Sequence, residues 1–251
     1  MPPFAADWAF FLDVDGTLLE HEEHPQAVRV GADVRRLLDG LRRTAAGAVA
    51  LISGRSVEDL DRLFAPLVLP LAGQHGNERR SANGALHRHT LPLDRLAGAA
   101  AQLVRLTSAH AALVLENKGL TLALHYRRAP ELRARVGREM RRLAAACGDE
   151  FELQPGKFLY EIKPSGKNKG SAIEEFLREA PFAGRTPVFL GDDLTDERGF
   201  AVVNRAGGHT IKVGTGRTCA RWRLRDAIAV RRWLGGYVTC PSASPASSCR
   251  R

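Results

Sequence analysis

The chain predicts an α/β protein built on a doubly wound parallel sheet, with a smaller α+β domain inserted into it. Three observations predict this. Short apolar runs alternate with stretches of helical periodicity, as in parallel strands joined by crossover helices. Between about Leu91 and Lys163 the rhythm changes to helix, hairpin, helix, hairpin, which makes an antiparallel sheet with helices on one face. Polar residues with chemical capacity fall directly after the core strands, where open α/β sheets bind ligands.

Taken in order, Trp8 to Leu12 reads as a buried strand followed at once by Asp13-Val14-Asp15-Gly16-Thr17. A loop containing Pro25 leads to a helix from about Gly31 to Thr44, with Val34, Leu37, Leu38 and Leu41 on one face. Val49 to Ile52 is a second strand ending in Ser53-Gly54-Arg55-Ser56, and Val57 to Phe64 is helical. A third strand, Val68 to Ala72, ends in Gly73-Gln74-His75. The insert holds helices at Leu93 to about Ser108 and Pro130 to about Ala146, with hairpins around Asn117-Lys118-Gly119 and Pro155-Gly156-Lys157. The first rhythm then resumes: helix Lys169 to Glu179, strand Pro187 to Gly191, helix Thr195 to Val203, strand His209 to Val213, and a final helix near Trp222 to Leu234. The expected division is a core of residues 1–90 and 164–240, an inserted domain of 91–163, and a loose Ser-, Pro- and Ala-rich tail of 241–251.

At 251 residues the chain can bury a real core, and 44% hydrophobic with 26% charged residues excludes wholesale disorder. There is no leader-like start and no apolar run long enough to cross a bilayer, so a cytoplasmic protein without a membrane partner is expected. Cys147, Cys219, Cys240 and Cys249 form no Cys-x-x-Cys pair and suggest neither disulfides nor zinc. The net charge of +9 reflects arginines at 127–142 and 217–232, which are read as solvated helix faces. With no aromatic ladder or nucleic-acid-binding module, the charge is taken as attraction for a small anionic substrate rather than nucleic acid. The protein is read as a monomer.

Four features supply the needs of phosphoryl transfer. Asp13 offers a nucleophilic carboxylate, and Asp15, on the same face of the extended chain, a general acid and base. Ser53 offers a hydroxyl to a phosphate oxygen. Lys169, opening a helix, offers a fixed positive charge. Asp192, Asp193 and Asp196 add carboxylates after another strand. Gathering Asp13, Asp15 and Asp192 is repulsive, about 4 kcal/mol for two charges about 4 Å apart at an effective dielectric near 20. A divalent cation is therefore required, and hard oxygen donors with a phosphate and no histidine cluster point to Mg2+. Any one feature alone is more often a turn, a cap or a surface charge. Their order along the chain carries the argument.

Asp-x-Asp-Gly-Thr, then Ser, Lys and Gly-Asp-Asp, resembles the motif set of the haloacid dehalogenase (HAD) superfamily of phosphohydrolases. The resemblance implies a Rossmannoid core in which Asp13 forms an aspartyl-phosphate. It further implies that Asp15 protonates the leaving group and then activates water. Mg2+ is implied on Asp13, the Asp15 backbone carbonyl and Asp192, with Asp196 supporting through water. The insert resembles a C2B cap. Leu71-Ala72-Gly73-Gln74-His75-Gly76, Glu116-Asn117-Lys118-Gly119, Leu124-His125-Tyr126-Arg127, Glu161-Ile162-Lys163-Pro164 and Gly191-Asp192-Asp193-Leu194-Thr195-Asp196-Glu197 resemble the trehalose-6-phosphate phosphatase family, especially its bacterial members. That family implies hydrolysis of trehalose 6-phosphate in trehalose biosynthesis, with Glu116, Lys118 and Glu161 gripping the glucose ring distal to the phosphate. On spacing alone these three are an ordinary exposed hairpin group. Arg55 is assigned to the substrate or to support of its loop. A broader sugar phosphatase, a phosphosugar mutase and, more remotely, a non-catalytic nucleic-acid-binding protein remain as alternatives.

Overall fold

The structure, a computed structural model, describes residues 1–20, 28–89 and 91–240. The expected loop at Pro25 and the tail at 241–251 lie outside the described residues. The chain forms two units, Met1–Arg88 with Asn168–Arg251, and His89–Lys167.

In the first unit β1 (Trp8–Leu12) is buried on both sides because its alternate residues serve two cores. Trp8, Phe10 and Leu12 meet α1 (Ala32–Thr44), α2 (Val57–Phe64) and the last helix, while Ala9 and Phe11 meet the helices of the opposite face. β1 pairs in parallel with β2 (Val49–Ile52), which pairs with β3 (Leu71–Gly73). Only the end of the expected third strand is a strand, since Val68 is exposed and Pro70 carries no amide hydrogen for the ladder. Two short strands that the sequence did not signal follow. β4 (Glu78–Arg80) and β5 (Leu86–Arg88) fold back antiparallel on β3 and extend the sheet at its edge. Arg79 of β4 is buried and reaches Glu175 at 2.9 Å and Glu179 at 2.7 Å, with its guanidinium 5.0 Å from the Phe176 ring.

The second unit begins with α3 (Leu93–Ala109), β6 (Val114–Asn117) and β7 (Leu122–His125), then α4 (Arg133–Cys147), β8 (Phe151–Gly156) and β9 (Leu159–Pro164). Its antiparallel sheet has the order β6-β7-β9-β8. Leu122, Leu124 and Ile162 pack with Leu96 and Leu103 of α3 and Met140 and Leu143 of α4. By strand alternation Glu116, Ala123, Glu161 and Gln154 stand on the other face.

Back in the first unit, α5 (Lys169–Phe176) is shorter than expected, because residues 177–184 leave the helix in turns. Then come β10 (Thr186–Gly191), α6 (Glu197–Arg205) and β11 (His209–Val213). The final helix is corrected by the structure. Trp222–Leu224 is a strand, β12, parallel to β11, and α7 (Ala227–Val238) starts only where the Asp226 side chain accepts the Ala229 amide. Arg217, Arg221, Arg223 and Arg225 therefore lie outside any helix, contrary to the reading of this cluster as a helix face. The sheet order is β12-β11-β10-β1-β2-β3-β4-β5, parallel as far as β3. The chain leaves β1 for β2 on one side and later returns to β10 on the other, so the topological switch lies at β1 and β10. α7 is fastened to β1 by rings: Trp8 stacks on Tyr237 with centroids 5.6 Å apart, and Phe4, Phe10 and Trp233 close the group. Among the described residues no helix is long and apolar enough to cross a membrane.

Candidate active site

The switch point collects the acids. Asp13 continues the β1 ladder, its amide donating to Leu190 O at 3.0 Å, and its side chain is buried. The chain must then turn sharply: Gly16 adopts φ +84°, and the amides of Leu18 and Leu19 donate to Val14 O. The turn presents Asp15 to Arg55, which follows β2. The guanidinium donates through Nε and Nη2 to both carboxylate oxygens, at 2.7 and 2.6 Å. Ser53, buried one strand away from Asp13, donates its amide to Ala72 O and accepts the Arg55 amide on Oγ.

Asp192 leaves β10 and accepts the Thr17 hydroxyl at 3.3 Å, while its carbonyl accepts from Lys212 of β11. Asp196 is fully buried, and its Oδ2 accepts the amides of Asp192 and Asp193, both at 3.0 Å. Gly191 is needed beneath it, because a Cβ there would lie 2.3 Å from Asp196 Cγ. Asp193 instead accepts the Thr195 amide and hydroxyl and shapes the turn before α6. Lys169 is set by the start of α5: Asn168 accepts the Gly170 and Ser171 amides, and Ser171 Oγ accepts the Asn168 amide, a reciprocal cap. Its ammonium donates to Asp13 Oδ1 at 2.8 Å and Asp196 Oδ1 at 2.7 Å, with all three side chains buried.

Burial pushes the Asp13 carboxyl well up against the pull of Lys169, with Asp196 and Asp192 adding to the rise. Burial likewise takes Asp196 up to about 7. Lys169 is driven up by Asp13 and Asp196, although burial opposes it. One buried ammonium thus faces more carboxylate than it neutralises. Oxygens of Asp13, Asp192 and Asp196 lie within 4.8 Å of one another, a hard donor set with a charge deficit that a divalent cation fits. Both Asp196 oxygens are already engaged by protein donors, which suits support of the loop better than direct ligation.

All of Asp13, Asp15, Ser53, Arg55, Lys169, Asp192 and Asp196 therefore stand in one unit. Glu116, Lys118 and Glu161 stand in the other and are brought together there. Lys118 Nζ is 3.4 Å from Glu161 Oε1 and 3.9 Å from Glu116 Oε2, and His125 Nε2 is 3.1 Å from that same Glu116 oxygen. Thr17 and Lys212 were not signalled as site residues, since each acts through Asp192 far along the chain, and neither was His125, which meets Glu116 across the β6 and β7 pair.

A family model described as Trehalose-phosphatase matches residues 11–227. The trehalose-6-phosphate phosphatase of Escherichia coli K12 is 47% identical over 238 residues, covering 95% of this chain and 89% of that protein. A probable trehalose-phosphate phosphatase of Sinorhizobium fredii is 42% identical over 83% of this chain and 78% of its own. Among solved structures, a trehalose-6-phosphate phosphatase related protein has a TM-score of 0.72 at 28% identity, covering 92% of this chain and 96% of its own. A haloacid dehalogenase-like hydrolase of B. subtilis shares the fold at a TM-score of 0.65 and 13% identity, covering 91% and 99%.

Proposed function

The chain belongs to the trehalose-phosphatase family, and from that premise we propose that it hydrolyses trehalose 6-phosphate to trehalose and inorganic phosphate. The observation that carries the chemistry is the buried Lys169 ammonium between Asp13 and Asp196 at the switch point of the sheet. Asp13 attacks phosphorus as the bond to the sugar oxygen breaks, and Asp15 delivers a proton to that oxygen. Water, losing its proton to Asp15, then attacks the aspartyl-phosphate, releasing phosphate and restoring Asp13. Ser53 donates its hydroxyl to a phosphate oxygen, and Lys169 holds Asp13 in line while balancing charge on the transferring group. Asp13, the Asp15 carbonyl and Asp192, with Asp196 in support, would hold Mg2+, which when bound would supply positive charge against the carboxylates and the phosphate.

Arg55, assigned to the substrate or to support of its loop, donates to both Asp15 carboxylate oxygens, which supports a part in fixing the plane of that carboxylate. Glu116, Lys118 and Glu161 supply two acceptors and a donor group suited to sugar hydroxyls and take the ring that does not react. The reading has trehalose 6-phosphate as partner, a monomer in the cytoplasm, and no nucleic acid or membrane. The test is phosphate release with and without Mg2+ from trehalose 6-phosphate, sucrose 6-phosphate, glucose 6-phosphate and mannose 6-phosphate. A Mg2+-dependent preference for the first is expected, and equal release from all four discards the substrate.

A further inference from the structure

β3 passes into a bend that the phosphoryl-transfer reading leaves without a part. Gln74 and His75 both adopt the left-handed conformation, at φ +47° and +57°, which residues with a side chain rarely take. Strain of this kind, about 1–3 kcal/mol per residue, persists only where the surroundings hold it, and here they do. The Gln74 amide donates to Arg55 O at 2.8 Å and the His75 amide to Ser53 O at 3.0 Å, so two consecutive amides clamp the backbone on either side of Gly54. The His75 ring closes over the clamped segment. A Cβ at Gly54 would lie 2.9 Å from the ring's Cε1 and Nε2, and Gly54 has no left-handed φ of its own to require glycine. It is the ring that keeps a side chain out.

The other side of the bend meets the helix that carries Lys169. Gly76, at φ +102°, packs so closely that a Cβ would lie 2.9 Å from the carbonyl oxygen of Asn168, the residue that caps α5. The chain is then anchored to both helices. Glu78 accepts the Val57 amide at the start of α2 at 2.9 Å, and Arg79 grips Glu175 and Glu179 at and beyond the end of α5. Resting on the reading above, we propose that His75 is a positioning residue for phosphoryl transfer. Its ring and backbone fix the Ser53-Gly54-Arg55 segment, and so set the Ser53 hydroxyl and, through Arg55, the Asp15 carboxylate before substrate binds. The part is steric, with no proton exchanged.

The experiment compares His75→Asn, Gly54→Ala and the double variant with the unaltered protein. It measures kcat, KM and the pH profile of Mg2+-dependent phosphate release from trehalose 6-phosphate and para-nitrophenyl phosphate, beside a melting curve. Asparagine tolerates the left-handed backbone and has no ring, whereas alanine at 54 displaces the ring from the opposite side. Each single variant is expected to lower kcat about tenfold to a hundredfold on both substrates, since a misplacement of about 1 Å suffices. The pH profile keeps its shape, and melting stays within about 4 °C of the unaltered protein. The double variant falls little further, because Gly54→Ala then displaces a ring already gone. A melting temperature that falls while kcat per folded molecule holds marks a purely structural role and overturns the inference. A pH profile that loses a limb in His75→Asn overturns it too, the ring then being an acid or base. If His75→Asn does not fold, His75→Gly and Gly54→Ala carry the same comparison. An unaltered protein that releases phosphate from neither substrate overturns the hydrolase reading and the inference with it. An active protein whose variants keep its kcat overturns the inference alone.

Discussion

Replacing Lys169 by Met removes the ammonium while keeping an unbranched stem of similar length. In the native site that ammonium lies 2.8 Å from Asp13 and 2.7 Å from Asp196, and none of the three side chains is open to water. Its loss leaves two buried carboxylates facing each other, and breaking a buried pair in this way costs roughly 3–5 kcal/mol. For a chain of this size, at about 2–4 °C per kcal/mol, the melting temperature falls by roughly 6–20 °C. The carboxylates relieve the strain by taking up protons, so the deficit grows from pH about 5 to about 8. Thermal unfolding followed by circular dichroism in metal-free buffer measures this, and Mg2+ should return part of the loss by supplying the missing charge. Adding Asp196→Asn to Lys169→Met should also recover part of it, the non-additivity expected of groups in contact. A variant that melts within about 2 °C of the native protein at pH about 8 without metal would refute the electrostatic account.

Asp13→Asn should lower kcat by at least about a thousandfold with the fold retained, read as phosphate release beside a melting curve; an active variant removes the nucleophile from the mechanism. In metal-free native protein, Asp196 is raised from 3.8 to about 7, so folding favours its protonated form. Its stabilising contribution is complete below about 4 and lost as the pH rises through about 7, and Mg2+ should flatten that profile. A metal-free melting temperature that climbs from pH about 5 to about 8 contradicts this sign. Arg79→Met takes the guanidinium away from Glu175 and Glu179, whose side chains are 26% and 28% exposed, and should cost about 1–3 kcal/mol in denaturant unfolding, with Arg79→Lys recovering little because it lacks the forked donors.

The acids of the site were legible because their sequence context is anomalous: a fully apolar strand that ends in Asp13 and Asp15 needs a cationic partner wherever it folds. The alternation of strands and helices gave the doubly wound core for the same reason, since buried parallel strands read as continuous apolar runs. The edge hairpin of β4 and β5 escaped because Glu78-Arg79-Arg80 and Leu86-His87-Arg88 show little apolar alternation. Their place depends on pairing with β3 and on Arg79 reaching α5. Trp222 was read as the start of the final helix, which ends near Leu234. Pairing of Trp222 with Ile211 decides otherwise, and the Asp226 cap marks the true start. The bidentate grip of Arg55 on Asp15 spans forty residues and follows from two loop conformations that no local pattern encodes.

The ring cluster that fastens α7 to β1 also makes one unit optically distinct. Trp8, Trp222 and Trp233 all belong to the unit that holds Asp13, whereas the aromatic hydroxyls of the other unit are Tyr126 and Tyr160. Indole emission is therefore a private signal of that unit, and backbone ellipticity is a sum over both. Unfolding followed by the two signals separates the melting of the unit that holds Asp13 from the melting of the other, with no label attached.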